Sequence, residues 1–187
     1  MINKLVCFTE EDSMKAMLEG LLPRFLPIGI TFQCISSSGK QDLERKLQRK
    51  LQNWNHPNTA FLIILDQDSN DCKLLKNKIY GICLKAGKPQ ALVRIACHEL
   101  ESYYFGDLNA VECALGIKGL VDQARKAKFR VPDNIENPAY ELEQITNGVY
   151  QKVTGSWKIG KYLSLSHNSS KSFNALLSGI NKLLGII

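Results

Sequence analysis

The chain has 187 residues, long enough to bury a sizeable core within one domain. Its 44% apolar and 22% charged residues are the balance of an ordinary globular chain and exclude a disordered or low-complexity protein. The formal charge of +6 suits an anionic partner such as nucleic acid, although its lysines and arginines are spread over several segments.

In chain order, strand and helix signals alternate. Residues 3–8 form a short apolar strand that ends in Thr9-Glu10-Glu11-Asp12-Ser13. A helix over 12–25 follows from the spacing of Met14, Met17, Leu18, Leu21 and Leu22, and it stops near Pro23 and Pro27. Residues 28–35 read as a second strand with a Ser36-Ser37-Ser38-Gly39 exit, and 41–54 as a charged helix with Leu43, Leu47 and Leu51 on one face. The run Ala60-Phe61-Leu62-Ile63-Ile64-Leu65 is a fully buried strand, and it exits through Asp66-Gln67-Asp68. A helix over 71–86 ends at Gly87 and Pro89, and 91–96 is a fourth strand. Next comes His98-Glu99-Leu100-Glu101, opening a helix over 99–115 with aromatic residues at Tyr103, Tyr104 and Phe105. The remainder reads as a basic helix over 118–128, a loop over 130–138, a helix over 140–149, a Gly- and Lys-bearing loop over 155–161 and a helix over 171–184.

This order predicts an α/β fold: a mostly parallel central sheet with helices on both faces and extra C-terminal helices. One domain would cover 1–187, with its core over about 1–115 and a helical extension over about 116–187. Parallel strands place Glu10, Asp66 and Asp68 together at the carboxyl edge, where open α/β sheets bind ligands. Residues two apart in an extended segment share a side, so Asp66 and Asp68 can converge. Such hard oxygens suit Mg²⁺ or Mn²⁺. The competing explanation is capping, because acids in a first helical turn are favoured by the helix dipole. If Glu99 and Glu101 are both helical, about 200° separates them and only one faces the cluster.

Other chemistries find little support. The six cysteines contain no CxxC pair and read as reduced thiols of a cytoplasmic protein, with neither a disulfide frame nor a zinc site. No signal-peptide pattern, membrane-length apolar run or internal repeat appears. The 155–161 segment lacks the GxxxxGK[ST] pattern, and no GxSxG elbow is present. His56, His98 and His167 are scattered; His98 alone adjoins the acidic edge, as a candidate proton shuttle.

Three stretches carry a resemblance: Phe8-Thr9-Glu10-Glu11-Asp12-Ser13-Met14-Lys15-Ala16, Leu65-Asp66-Gln67-Asp68-Ser69-Asn70-Asp71-Cys72, and Val93-Arg94-Ile95-Ala96-Cys97-His98-Glu99-Leu100-Glu101-Ser102-Tyr103-Tyr104. Residues 128–133 and 150–155 add to it. With these the chain resembles the Toprim-like (topoisomerase–primase) domains, and more narrowly a family of small bacterial proteins placed with that fold. The resemblance implies that Glu10 matches the acid after strand one and that Asp66 and Asp68 match the DxD pair after strand three. It also implies Mg²⁺-dependent chemistry on nucleic acid, DNA or RNA. Its link to the overcoming-lysogenization-defect nucleases implies an ATPase partner and a role in phage defence. The chain departs from the pattern at Glu11, where a glycine is usual; the added charge is either another ligand or a disturbance of the site.

The leading expectation is a Mg²⁺-dependent nuclease with Glu10, Asp66, Asp68 and Glu101 as catalytic acids. Glu10, Glu11, Asp66, Asp68 and Glu99 are the candidate metal ligands, and Arg94 and Lys152 the phosphate contacts. Two alternatives stay open: a catalytically silent interaction subunit with a cation-binding edge, and a receiver-like signalling domain. The receiver reading needs a Ser or Thr at the end of strand four, which residues 94–101 do not offer. Oligomeric state and partner identity are open.

Overall fold

The computed structural model describes residues 2–186. Four strands form one all-parallel sheet in the order β2-β1-β3-β4: β1 (Lys4–Thr9), β2 (Thr31–Ser36), β3 (Thr59–Asp66) and β4 (Leu92–Ala96). The predicted α/β class is thus the observed one, and the architecture is consistent with a Toprim-like fold. Among the described residues, no helix is long and apolar enough to cross a membrane, and all six cysteines are free.

Period-two alternation in β1 and β3 builds two cores. Leu5 and Cys7 of β1 with Ala60, Leu62 and Ile64 of β3 face α1 (Asp12–Phe25). Val6, Phe8, Phe61, Ile63 and Leu65 face the opposite side. There they meet Leu43, Leu47 and Leu51 of α2 (Lys40–Gln52), and Leu75, Ile79 and Cys83 of α3 (Cys72–Lys85). Because both faces of β3 are covered, six consecutive apolar side chains are buried there. The five large ones, Phe61 to Leu65, each contribute about 1.5–3 kcal/mol by leaving water.

The expected helix over 99–115 is instead two: α4 (Ser102–Phe105) and α5 (Leu108–Leu115). The break has a physical cause. Gly106 lies against Asn168 and the backbone of Ser170 with no room for a Cβ, and Asp107 caps α5 by accepting from Ala110 N–H at 3.1 Å. The basic segment is two short 3₁₀ turns, Val121–Arg125 and Ala127–Phe129, in place of a helix over 118–128. Phe129 anchors it by stacking on Phe105 with centroids 4.8 Å apart. Then come α6 (Pro138–Ile145), α7 (Lys152–Gly160) and α8 (Lys171–Leu184).

The expected Gly/Lys loop over 155–161 is therefore largely helix. Its glycines serve helix contact and do not form a phosphate loop. A Cβ on Gly160 would strike the Met17 carbonyl of α1, and one on Gly20 would strike the Trp157 carbonyl of α7. Glycine–glycine packing lets the two backbones touch. Arg24 then locks the end of α7, donating to the Lys161 and Leu163 carbonyls at 2.5 and 3.2 Å.

Candidate metal and phosphate site

Strand register sets the site. Thr9 is level with Ile64, and Asp66 with Ala96, so all strand exits open on one edge. The strand order reverses between β1 and β3, and such a switch point leaves a crevice outside the strand ends. Glu10 and Asp66 leave β1 and β3 there. Asp66 N–H donates to Glu10 Oε2 at 3.1 Å, which binds the two exits together.

The loops beyond β3 and β4 are also joined. Gln67 N–H donates to the Ala96 carbonyl at 2.9 Å, and Asp68 N–H to the His98 carbonyl at 2.8 Å. Both Asp68 (φ 51°) and His98 (φ 57°) adopt the left-handed region. For residues with a Cβ this costs on the order of 1–3 kcal/mol each, and such strain clusters at functional sites. It turns the Asp68 carboxylate to Lys40, whose Nζ lies 2.6 Å from Asp68 Oδ2 and 4.0 Å from Glu10 Oε2.

Asp66 is buried, as is Glu101 at the start of α4. Burial pushes the Asp66 carboxyl well above the usual carboxylate range, and Glu101, Glu10, Glu11 and Asp68 push it the same way. Burial likewise raises Glu101, opposed by the Tyr150 hydrogen bond and by Lys152. Glu10 is also raised by burial, against the pull of Lys40 and of the Asp66 N–H. Tyr150 OH donates to Glu101 Oε1 at 2.7 Å. Asp66 Oδ1 and Glu101 Oε2, both buried, have no hydrogen-bond partner among the described residues, nor do the hydroxyls of Tyr103 and Tyr104. Burial, with the surrounding acids, pushes the pKa of all three tyrosine hydroxyls up, so they stay protonated.

Lys152 Nζ lies 3.0 Å from Glu11 Oε1. Burial lowers its tendency to hold a proton, but Glu11, Glu101 and Asp66 together outweigh burial and keep it charged. Lys152 and Tyr150 flank an extended Gln151 (φ −113°, ψ 125°), so both reach the same side. Ser13 Oγ donates to the same Glu11 oxygen, Oε1.

The structure thus gathers Glu10, Glu11, Asp66, Asp68, Glu101 and Lys152 at one edge. Two expected residues are placed differently. Glu99 turns to α6, accepting from Ala139 N–H at 2.9 Å; it shares a cleft with Glu101, Tyr150 and Lys152 and adds its charge to that of Glu101. It does so because residues 97–101 are turns, which breaks the helical geometry expected for Glu99 and Glu101. Arg94 lies within β4 and packs against α8: its guanidinium donates to the Ala175 and Val93 carbonyls at 2.9 and 3.0 Å and lies against Gly179. It is a structural tie, away from the acids. His98 contributes its backbone to the loop junction. Sequence reasoning missed Lys40 and Tyr150. The two-residue spacing of Tyr150 and Lys152 was a usable signal; Lys40 had none, being one of 24 basic residues.

The unpartnered oxygens of Asp66 and Glu101, with Glu10 and Asp68 beside them, are hard oxygen donors of the kind that could hold Mg²⁺ once ionised. In this conformation the set is not closed: among the described residues, no three His, Cys, Asp or Glu side chains are close enough to hold a metal. Lys40 and Lys152 stand between the carboxylates as the local counter-charges.

The family described as a domain of unknown function (DUF4276) matches residues 9–181. The chain belongs to the DUF4276 family. The DUF4276 match spans every residue of the acidic edge, from Glu10 to Lys152, and runs into α8. No curated protein and no solved structure matches the chain.

Proposed function

We propose that this DUF4276 chain is a Mg²⁺-dependent phosphodiester-cleaving enzyme of Toprim type acting on nucleic acid, working with an ATPase partner in phage defence. The observation that carries the proposal is the pair of buried, partnerless oxygens on Asp66 and Glu101, beside Glu10 and Asp68. A folded chain leaves such atoms unsatisfied at a cost of about 1–3 kcal/mol each. A divalent cation offsets that cost. Asp66 and Asp68 would hold it, with Glu101 behind Asp66. When bound, it supplies charge stabilisation at the phosphate and an acidified water.

The chain's own residues do the rest. Lys40 releases Asp68 and turns to a phosphate oxygen. Lys152, on the opposite wall, neutralises a second oxygen. Glu10, with a raised proton affinity, accepts the proton of the attacking water. Tyr150 fixes the Glu101 carboxyl so that its free oxygen keeps facing inward.

The test is cleavage of single- and double-stranded DNA and RNA by the wild type and Asp68→Ala, in Mg²⁺, Mn²⁺ or chelator, with and without an ATPase encoded beside it. Metal-dependent cleavage lost in Asp68→Ala is expected. Equal cleavage by the variant removes these acids from catalysis. No cleavage of any substrate with the partner present favours the silent-subunit reading, in which the edge binds a cation or a basic partner without chemistry.

A further inference from the structure

The positive charge of this chain is not evenly placed. After Glu143 no Asp or Glu occurs, while Lys152, Lys158, Lys161, Lys171 and Lys182 all lie in that stretch. The preceding residues carry 19 basic against 18 acidic side chains. Nearly the whole net charge of +6 thus belongs to the final segment.

Three of these lysines lie on or beside α7, whose two faces differ sharply. Gly155, Ser156, Ile159 and Gly160 are buried against the body of the protein. Val153, Trp157, Lys158, Lys161 and Tyr162 are outward, with Trp157 43% and Tyr162 52% exposed. Val153, Trp157 and Lys161 follow an i, i+4, i+8 spacing and share one face; Lys158 and Tyr162 run beside them. Lys161 Nζ stands 3.1 Å from the centre of the Trp157 ring and covers that face, so a base would reach it by displacing Lys161 to a phosphate. Single Leu or Val side chains at a surface are ordinary. Two exposed aromatics interleaved with lysines and free of acids are the composition of a stacking surface for bases.

Position makes the surface useful. Lys152, the first residue of α7, touches Glu11 in the acidic edge. From Lys152 to Lys161 the helix rises about 14 Å, the length of about four nucleotides at 3.4 Å each. The seat is rigid, because the Gly20–Gly160 contact and the Arg24 bonds fix α7 to α1. We infer that the outer face of α7 is a binding track for single-stranded nucleic acid, with bases on Trp157 and Tyr162, phosphates on Lys158 and Lys161, and the strand delivered to the acids past Lys152. The substrate class rests on the nuclease reading; the track itself is measurable without it. An acidic protein segment would satisfy the lysines but leave the aromatic rings without planar partners.

The experiment measures binding in EDTA, where metal-dependent cleavage is off, by anisotropy of labelled 15-nucleotide dT and rU strands and of a 15-base-pair duplex. Tight, salt-sensitive binding of a single strand with quenched Trp fluorescence is expected, and weaker binding of the duplex. Trp157→Ala should weaken single-strand binding about 5- to 150-fold, the range for one lost base stack. Lys158→Glu/Lys161→Glu should weaken it and flatten its salt dependence. Both substitutions are at exposed positions, and circular dichroism confirms folding. Wild-type affinity in both variants, equal duplex binding, absence of binding, or equal competition by polyglutamate each overturns the inference. Binding without cleavage under any condition would remove the nuclease reading and leave the track standing.

Discussion

Tyr150 gives its hydroxyl hydrogen to Glu101, 2.7 Å away, and Ser156 lies 3.0 Å from the same hydroxyl. The C-terminal third is thereby wired into the acid cluster of the sheet. Tyr150→Phe removes the one hydrogen bond that, among the described residues, another side chain gives the buried Glu101 carboxyl, so stability should fall by about 1–3 kcal/mol. Thermal melting is the check; for a chain of this size each kcal/mol moves Tm by about 2–4 °C. An unchanged Tm would mean that Glu101 finds another partner.

Acidity should stabilise the metal-free protein. Glu10, Asp66 and Glu101 all hold their protons more tightly in the fold than when unfolded. Their favourable contribution is therefore complete below the ordinary carboxylate range and is lost as pH rises through the raised folded values. Urea titrations in chelator at pH 5 to 8 should show this contribution shrinking with rising pH. Asp66→Asn should flatten the slope and raise Tm at pH 8 by a few degrees. A slope unaltered by Asp66→Asn would place its origin in other groups.

Metal should reverse the same cost. On the proposed function Mg²⁺ would bind the ionised carboxyls, so its affinity should grow with pH and its binding should release protons. Ten millimolar Mg²⁺ acting on a site of about 0.1 mM Kd would add ~2.7 kcal/mol of stability. Calorimetry in buffers of different ionisation enthalpy measures the proton count. Asp66→Asn and Asp68→Ala should each reduce the Mg²⁺-induced rise in Tm to near zero.

A methyl group at the α1–α7 crossing should be felt at the site. Gly160→Ala drives a Cβ into the Met17 carbonyl, an atom that cannot swing aside. Overpacking of this kind costs about 1–3 kcal/mol. The displaced α7 should also carry Lys152 away from Glu11, weakening nucleic-acid binding beyond what the Tm change alone would give. Gly81→Ala, within α3 where nothing crowds a Cβ, is the control: it should raise stability by about 0.5–1 kcal/mol and leave binding unchanged.

The strands and the first three helices could be read from the chain because their signals are local. Apolar runs of six residues, prolines after a helix and leucines four apart each report on their own element. Glu10, Asp66 and Asp68 could be read for the same reason, as each follows an apolar strand directly. The errors came where distant contacts decide. Gly155 and Gly160 look like loop residues until α1 is seen to need their missing side chains. Glu99 and Glu101 look equivalent until His98 adopts a left-handed turn and sends one inward and the other to α6. Arg94 sits in the right segment, but α8 claims its guanidinium.

The span of chain between Glu101 and Lys152 has a consequence for synthesis. The acids of β1, β3 and α4 leave the ribosome first, whereas Tyr150 and Lys152 emerge some fifty residues later. Until then the nascent sheet holds its most repulsive carboxyls with neither their hydroxyl donor nor their second ammonium. A chain halted after α5 should therefore remain open at this edge, its crevice unclosed until Tyr150 and Lys152 have followed.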